Sequence, residues 1–257
     1  MTDVLVVGAG PTGLTLACEL ARRGVGHRVL ERSPRPFEGS RGKGLQPRTL
    51  EVFDDLGIVD RVLAAGADYP TVRLHLGGDA FQEMRMDELH APRPDVPYPN
   101  VWMLPQWRTG ELLAQRLAEL GGAVELGVEV AGLSQDADGV RATLADGSSV
   151  SARYLIGADG GRSMVRRAVG VGFEGETFET ERLVVADVLV AGLDRDRWHV
   201  WPGADGRSMR LGLCPLPGTD RYQLYAPPAA DAEPTDAELA ELVALTTDGA
   251  VGLREVG

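Results

Sequence analysis

Gly8-Ala9-Gly10-Pro11-Thr12-Gly13 sets three glycines in G-x-G-x-x-G spacing, directly behind the apolar run Val4-Leu5-Val6-Val7 and ahead of a segment with helical periodicity. In that context the pattern reads as a phosphate cradle. Gly8 permits a tight turn, Gly10 lets a pyrophosphate approach the backbone, and Gly13 lets the helix pack closely on the strand. The helix start adds unsatisfied N–H groups and the positive end of a dipole. Glu31 closes the next strand-like stretch, Arg28-Val29-Leu30-Glu31. A carboxylate there accepts hydrogen bonds from both hydroxyls of an adenosine ribose and would repel a 2'-phosphate, so NADP is disfavoured at this site. The turn alone does not separate NAD from FAD.

A second stretch, Tyr154-Leu155-Ile156-Gly157-Ala158-Asp159-Gly160-Gly161-Arg162-Ser163-Met164-Val165-Arg166, passes from a strand through Asp-Gly into a short helix that Ser163 is placed to cap. With the opening fingerprint, it resembles the class A FAD-dependent aromatic hydroxylases related to para-hydroxybenzoate hydroxylase. Within that group the chain is most similar to the bacterial polyketide hydroxylases and the rifamycin- and tetracycline-type monooxygenases. The resemblance covers residues 1 to 190 and, more loosely, the rest.

The resemblance implies cofactor contacts from Gly8, Gly10, Thr12 and Gly13 at the pyrophosphate, with Glu31 at the adenosine ribose and Arg32 beside it. It further implies Arg41 near the flavin, Gln106 at the ribityl chain, a main-chain contact from Val130 to adenine, and Asp159-Gly160 in a motif shared by flavin and nicotinamide binding. The plain alternatives are a solvated loop charge for Arg41, a helix-start residue for Gln106 and a turn-former for Asp159. Arg162, Arg166 and Arg167 either steer the phosphates of a nicotinamide cofactor or form a solvated helix face. Gly110 departs from the family, which usually carries an acidic residue there. The implied chemistry is that NAD(P)H reduces FAD, oxygen adds to the flavin, and a flavin hydroperoxide hydroxylates an electron-rich aromatic ring. The cofactors implied are therefore FAD, with NAD(P)H as co-substrate. No catalytic base can be named.

The elements that must position these residues follow from periodicity. A strand over 4–7, a helix over 12–23 stopped by Gly24 and a strand over 28–31 make a β-α-β unit, which crosses over right-handed into a parallel sheet. Two short helices fit 48–56 and 59–65. Residues 71–76 alternate and turn back at Gly77-Gly78-Asp79. Pro92, Pro94, Pro97 and Pro99 leave an extended loop, a helix follows over 106–120, and a strand over 124–126 precedes a three-stranded meander over 128–156. Past Gly172, strands fit 183–190, 198–201, 209–214 and 222–225, and Thr235 with Glu238 makes a capping box for a helix to about Leu245. The residues from Asp248 onward show nothing to close the sheet.

The fold class expected is α/β, or α+β overall: a Rossmann-like FAD-binding domain with a parallel sheet and β-meander, plus a largely antiparallel substrate-binding sheet. Residues 1–70 and 100–171 are assigned to the first, 71–99 and 172–257 to the second. Trp198-His199-Val200-Trp201 sets His199 and Trp201 on one face, a candidate wall for a planar aromatic substrate, with core packing the plainer reading. His27, His75, His90 and His199 have no partners at catalytic spacing. The family also carries a Gly-Asp-Ala-x-His signature further along, which this sequence does not contain. The expectation is a chain lacking the C-terminal half, as the start of a longer polypeptide or as a truncated binding fragment.

The length of 257 residues, 44 % hydrophobic and 25 % charged, suits a globular protein and excludes collagen-like, coiled-coil and wholly disordered chains. A net charge of -12 argues against a nucleic-acid partner. Lys43 is the one lysine, read as codon bias of a GC-rich genome. Cys18 and Cys214 stand far apart and imply neither a metal site nor a disulfide. Asp3 replaces the positive charge of a signal peptide, and no run approaches a membrane span, so a cytoplasmic protein acting on a small aromatic molecule is expected. Its oligomeric state is not legible. An NAD-dependent Rossmann dehydrogenase is the other enzyme that fits the first motif.

Overall fold

Leu5, Val6, Val29 and Leu30 are buried in unbroken runs rather than alternately, as strands interior to a parallel sheet require. The computed structural model describes residues 1–39, 42–176, 182–206, 208–228 and 234–256. It begins with β1 (Thr2–Val7), α1 (Pro11–Arg22), β2 (His27–Glu31), β3 (Gly44–Leu45), α2 (Pro47–Asp55), α3 (Val59–Ala65) and β4 (Ala67–Asp68). There follow β5 (Thr71–Gly77), β6 (Ala80–Met84), β7 (Trp102–Met103), α4 (Gln106–Glu119) and β8 (Val124–Leu126). The meander is β9 (Val130–Gln135), β10 (Val140–Leu144) and β11 (Ser149–Gly157), closed by α5 (Met164–Ala168). The remainder is β12 (Val184–Ala191), β13 (Arg197–Pro202), β14 (Met209–Pro215), β15 (Tyr222–Ala226), α6 (Asp236–Thr246) and β16 (Gly252–Val256).

The chain divides into two compact units. The first comprises Met1–Glu38, Val52–Val62 and Gln106–Gly175. Its six-stranded sheet has the order β8-β2-β1-β11-β10-β9, parallel from β8 to β11 and antiparallel through the meander. Leu5, Val7 and Leu30 pack on Val130, Ala142, Leu144, Val150, Ala152 and Val165 on one face, and α1 packs against β2 and α4. The mixed α/β architecture expected from sequence is the one observed.

The second unit comprises Gly39–Glu51, Leu63–Pro105 and Glu176–Gly257. Its seven-stranded sheet has the order β16-β12-β15-β14-β13-β5-β6, antiparallel except where β13 runs parallel to β5. The hairpin β5–β6 thus extends this sheet's edge. Tyr222, Leu224 and Ala226 of β15 and Leu211 and Leu213 of β14 form a core with Leu239 and Val243 of α6, whose N-terminus carries the expected Thr235–Glu238 capping box. A small sheet, β3-β7-β4, belongs to the same unit.

One expectation is corrected here. The residues after Asp248 do close an edge, because β16 pairs antiparallel with β12. Asp248 (φ 50°) and Gly249 (φ 75°) are both left-handed, end α6 and reverse the chain. The signal was hidden because Arg254 and Glu255 interrupt the apolar pattern of a five-residue edge strand. The two-residue strands β3, β4 and β7 were not anticipated either, since pairs so short exist only through their partners.

Candidate functional site

Gly8 takes φ 104°, closed to most side chains, while its N–H donates to Leu30 O at 2.7 Å. A Cβ there would lie 2.5 Å from Ala158 O, and one on Gly13 would lie 1.9 Å from Gly8 O. Both glycines therefore serve packing inside the protein. Gly10 differs: a Cβ on it would meet nothing within 4 Å. It is the N-cap of α1, with no side-chain cap and no acidic residue in the first turn. Pro11 opens the helix, exposed Thr12 follows, and the positive end of a twelve-residue helix faces open space at a backbone with no side chain.

Glu31 lies against this turn. Its Oε2 accepts from Ala9 N at 2.9 Å and its Oε1 from Ser33 N at 2.9 Å. Each oxygen keeps a second lone pair for a ribose hydroxyl. Arg32 is exposed beyond the strand end. The approach to β9 joins the same corner, since Val128 N donates to Glu31 O and Gly127 N to Ser33 O, both at 2.9 Å. The Val130 side chain itself is core, so only its main chain is available to a ligand.

Asp159 also borders the turn, because Ala158 N donates to Val7 O at 2.8 Å. Its carboxylate is engaged: Oδ1 accepts from Ser163 Oγ at 2.5 Å, and Oδ2 from Met164 N at 2.7 Å and Val165 N at 3.1 Å. Ser163 Oγ in turn accepts from Arg166 N at 2.9 Å, the cap expected from sequence. Burial alone would raise the Asp159 carboxyl, but the hydroxyl of Ser163 and the N–H groups of Val165 and Met164 hold it below the ordinary aspartate value. Asp159 thus fixes the loop carrying exposed Gly160, which takes φ 77°. Asp159→Ala is expected to lower unfolding free energy by about 1–3 kcal/mol, with Asp159→Asn intermediate, in urea titrations of the chain.

Gln106 opens α4, in the same unit and half-buried. Arg41 lies outside the described residues. His199 and Trp201 stand together on the α6 side of the second unit's sheet. The structure supplies a partner that sequence reading missed: His75 Nε2 lies 3.0 Å from His199 Nδ1, and the His75 ring stacks on Trp201 at 4.2 Å and 6°. The parallel register of β13 on β5 makes this contact, which nothing local announces. His199 Nε2 lies 3.0 Å from Asp194 O, and the cluster lines a cleft of about 270 Å³. Among the described residues no group of His, Cys, Asp and Glu could hold a metal, and no helix is long and apolar enough to cross a membrane.

Burial, then the neighbouring His199 and Arg73, push His75 down to about 4, against the opposing pull of Asp194; burial also lowers His199. Between that value and the ordinary one near 6.5 the unfolded chain binds more protons than the folded one, so stability falls on acidification through this window. The expected loss at His75 is about 1–2 kcal/mol, less than full conversion because the ring is half-exposed. Denaturation midpoints between pH 7 and 4 measure it, and His75→Asn flattens the slope.

The sequence pattern of the FAD binding domain family matches residues 1–247. The chain belongs to this family. A flavin-dependent monooxygenase of Mycobacteroides abscessus is 47 % identical over 238 residues, covering 90 % of this chain and 50 % of its own length. A rifampicin monooxygenase of Streptomyces venezuelae is 36 % identical over 233 residues, covering 91 % and 47 %. The crystal structure of aklavinone-11 hydroxylase with FAD and aklavinone superposes with a TM-score of 0.77 at 27 % identity, over 100 % of this chain and 52 % of that one. The chain spans about half the length of the curated relatives it matches. Its relatives in the FAD-binding family are flavin-dependent monooxygenases.

Proposed function

We propose that the chain supplies FAD-binding and substrate-binding parts of a monooxygenase that uses NAD(P)H and O2 to hydroxylate an aromatic polyketide or a related phenolic antibiotic. The observation that carries the reading is the uncapped start of α1 at a glycine with open space around it, beside a carboxylate anchored to the same turn. These residues fit a dinucleotide of the FAD type. The N–H groups of the α1 start bind the pyrophosphate, Glu31 orients the ribose, and the Val130 main chain meets adenine. Arg41 and Gln106 are proposed for the flavin end, with residues 1–70 and 100–171 as the FAD-binding domain and 71–99 and 172–257 as the substrate-binding domain. When bound, the flavin supplies the reduction and oxygen-transfer chemistry, and the protein binds the ring and keeps water away.

A second reading is flavin or substrate binding without turnover. One experiment separates these and the dehydrogenase. Purified chain is mixed with FAD, freed of excess and scanned for flavin absorbance. Retained flavin supports both flavoprotein readings, while NAD binding without flavin selects the dehydrogenase. NAD(P)H oxidation accelerated by an aromatic polyketide selects the enzyme over binding without turnover.

A further inference from the structure

The one lysine among the chain's 26 basic residues is buried. Lys43 immediately precedes β3, and its backbone is tied by Leu104 N donating to its carbonyl at 2.8 Å. Its side chain runs to the face of the seven-stranded sheet opposite α6. Alternation along β15 sets that face apart: Tyr222, Leu224 and Ala226 point into the core with α6, leaving Gln223 and Tyr225 on the other side. Lys43 Nζ donates to Gln223 Oε1 at 3.1 Å and to Tyr225 OH at 2.5 Å, and lies 4.4 Å from the Trp198 ring centroid and 4.3 Å from that of Tyr225. Tyr69 completes a half-buried aromatic wall, 6.4 Å from Trp198, which is itself 6.0 Å from Tyr225.

All these direct partners are neutral. A buried ammonium is costly unless an anion compensates it; among the described residues no carboxylate lies within ion-pair distance of Lys43, and Asp187 acts on it only from further away. Burial lowers its affinity for a proton, and Cys214 and Asp187 act in the opposite sense. Burial also pushes the Cys214 thiol up to about 12, so that group is uncharged at neutral pH. Among the described residues two donors in the cluster lack acceptors: the third N–H of the ammonium, and Trp198 Nε1, which is buried with no hydrogen-bond partner. Two unmatched donors, one of them charged, inside an aromatic wall match an ionised oxygen on a planar ring.

We propose that Lys43, Trp198 and Tyr225 form a subsite for the phenolate or enolate oxygen of a planar aromatic ligand, with Lys43 as its counter-ion. This rests on residues 71–99 and 172–257, which include Trp198 and Tyr225, being the substrate-binding part of the proposed monooxygenase, with Lys43 reaching their sheet from outside that segment, and it names the ionisation state that the site selects. Ionised phenols are electron-rich, so a site that holds the phenolate presents the ring in its more readily oxygenated form.

Alizarin, a planar hydroxyquinone whose visible band moves to the red on ionisation, serves as probe, with FAD affinity measured separately by flavin fluorescence. The intact chain should bind the dye and lower the pH at which it ionises by about one unit, as an adjacent cation does. Lys43→Met should abolish the shift and weaken binding about tenfold while FAD affinity stays. Should Lys43→Met fail to fold, Trp198→Phe keeps the ring, removes the indole donor and is expected to reduce the shift. Protein grown with 13C-lysine carries one labelled side chain, whose Cε resonance should move when the dye binds. An unmoved resonance, an unchanged shift in a folded Lys43→Met, or no dye binding by a chain that binds FAD overturns the subsite. Lys43-dependent dye binding by a chain that never takes up FAD upholds the subsite and overturns the monooxygenase reading instead.

Discussion

Gly13→Ala is expected to abolish FAD uptake and to destabilise the chain by about 1–3 kcal/mol, the range of overpacked positions. Alanine is worth about 1 kcal/mol more than glycine inside a helix, so propensity alone predicts the opposite sign. The clash decides. The new Cβ would sit 1.9 Å from Gly8 O, a backbone atom whose residue is held by its own N–H bond to Leu30 and by a close approach to Ala158. Relief requires α1 to lift away from the turn, and that motion carries the helix start out of register with Gly10. Gly10→Ala is the informative control. Its Cβ meets no protein atom within 4 Å, so the fold should be kept while FAD binding weakens. Thermal unfolding and flavin retention of the two variants, measured side by side, check the assignment. Gly10→Ala with undiminished FAD affinity would place the pyrophosphate elsewhere.

What was legible in the chain follows the range of the interactions involved. The β1–α1–β2 unit, the Ser163 cap and the Thr235–Glu238 capping box are local, and each is written within a few neighbouring residues. Gly8 and Gly13 could be assigned roles from spacing alone because a turn between a buried strand and a helix has few solutions. By contrast, His75 and His199 are 124 positions apart and meet only through a parallel pairing of β5 with β13. Lys43 reads as a codon accident until β15 sets Gln223 and Tyr225 beside it, 180 and 182 positions away. Alternation placed His199 and Trp201 on one face correctly, but only the sheet shows that this face meets α6 and that Trp198 lies with Lys43 on the other.

Glu31→Ala is expected to lower FAD affinity about 100-fold, as the loss of two charge-assisted hydrogen bonds to the ribose implies. The variant also strips acceptors from Ala9 N and Ser33 N, which are held at 2.9 Å on the two carboxylate oxygens, so the glycine turn loses a brace as well as a ligand contact. Glu31→Gln is expected to fall between Glu31→Ala and the unaltered chain. Its amide oxygen can satisfy one N–H while its NH2 group opposes the other, so both bracing and ribose binding are halved rather than lost. FMN, which lacks the adenosine, isolates the ribose term: its affinity should be unchanged by Glu31→Ala if the carboxylate acts on the adenosine alone. Equal losses for FAD and FMN would mean that Glu31 works by shaping the turn. A loss confined to FAD and to ADP would assign it to the ribose, and the same carboxylate would then account for discrimination against a 2'-phosphate at this position, since two like charges would have to share one set of backbone donors.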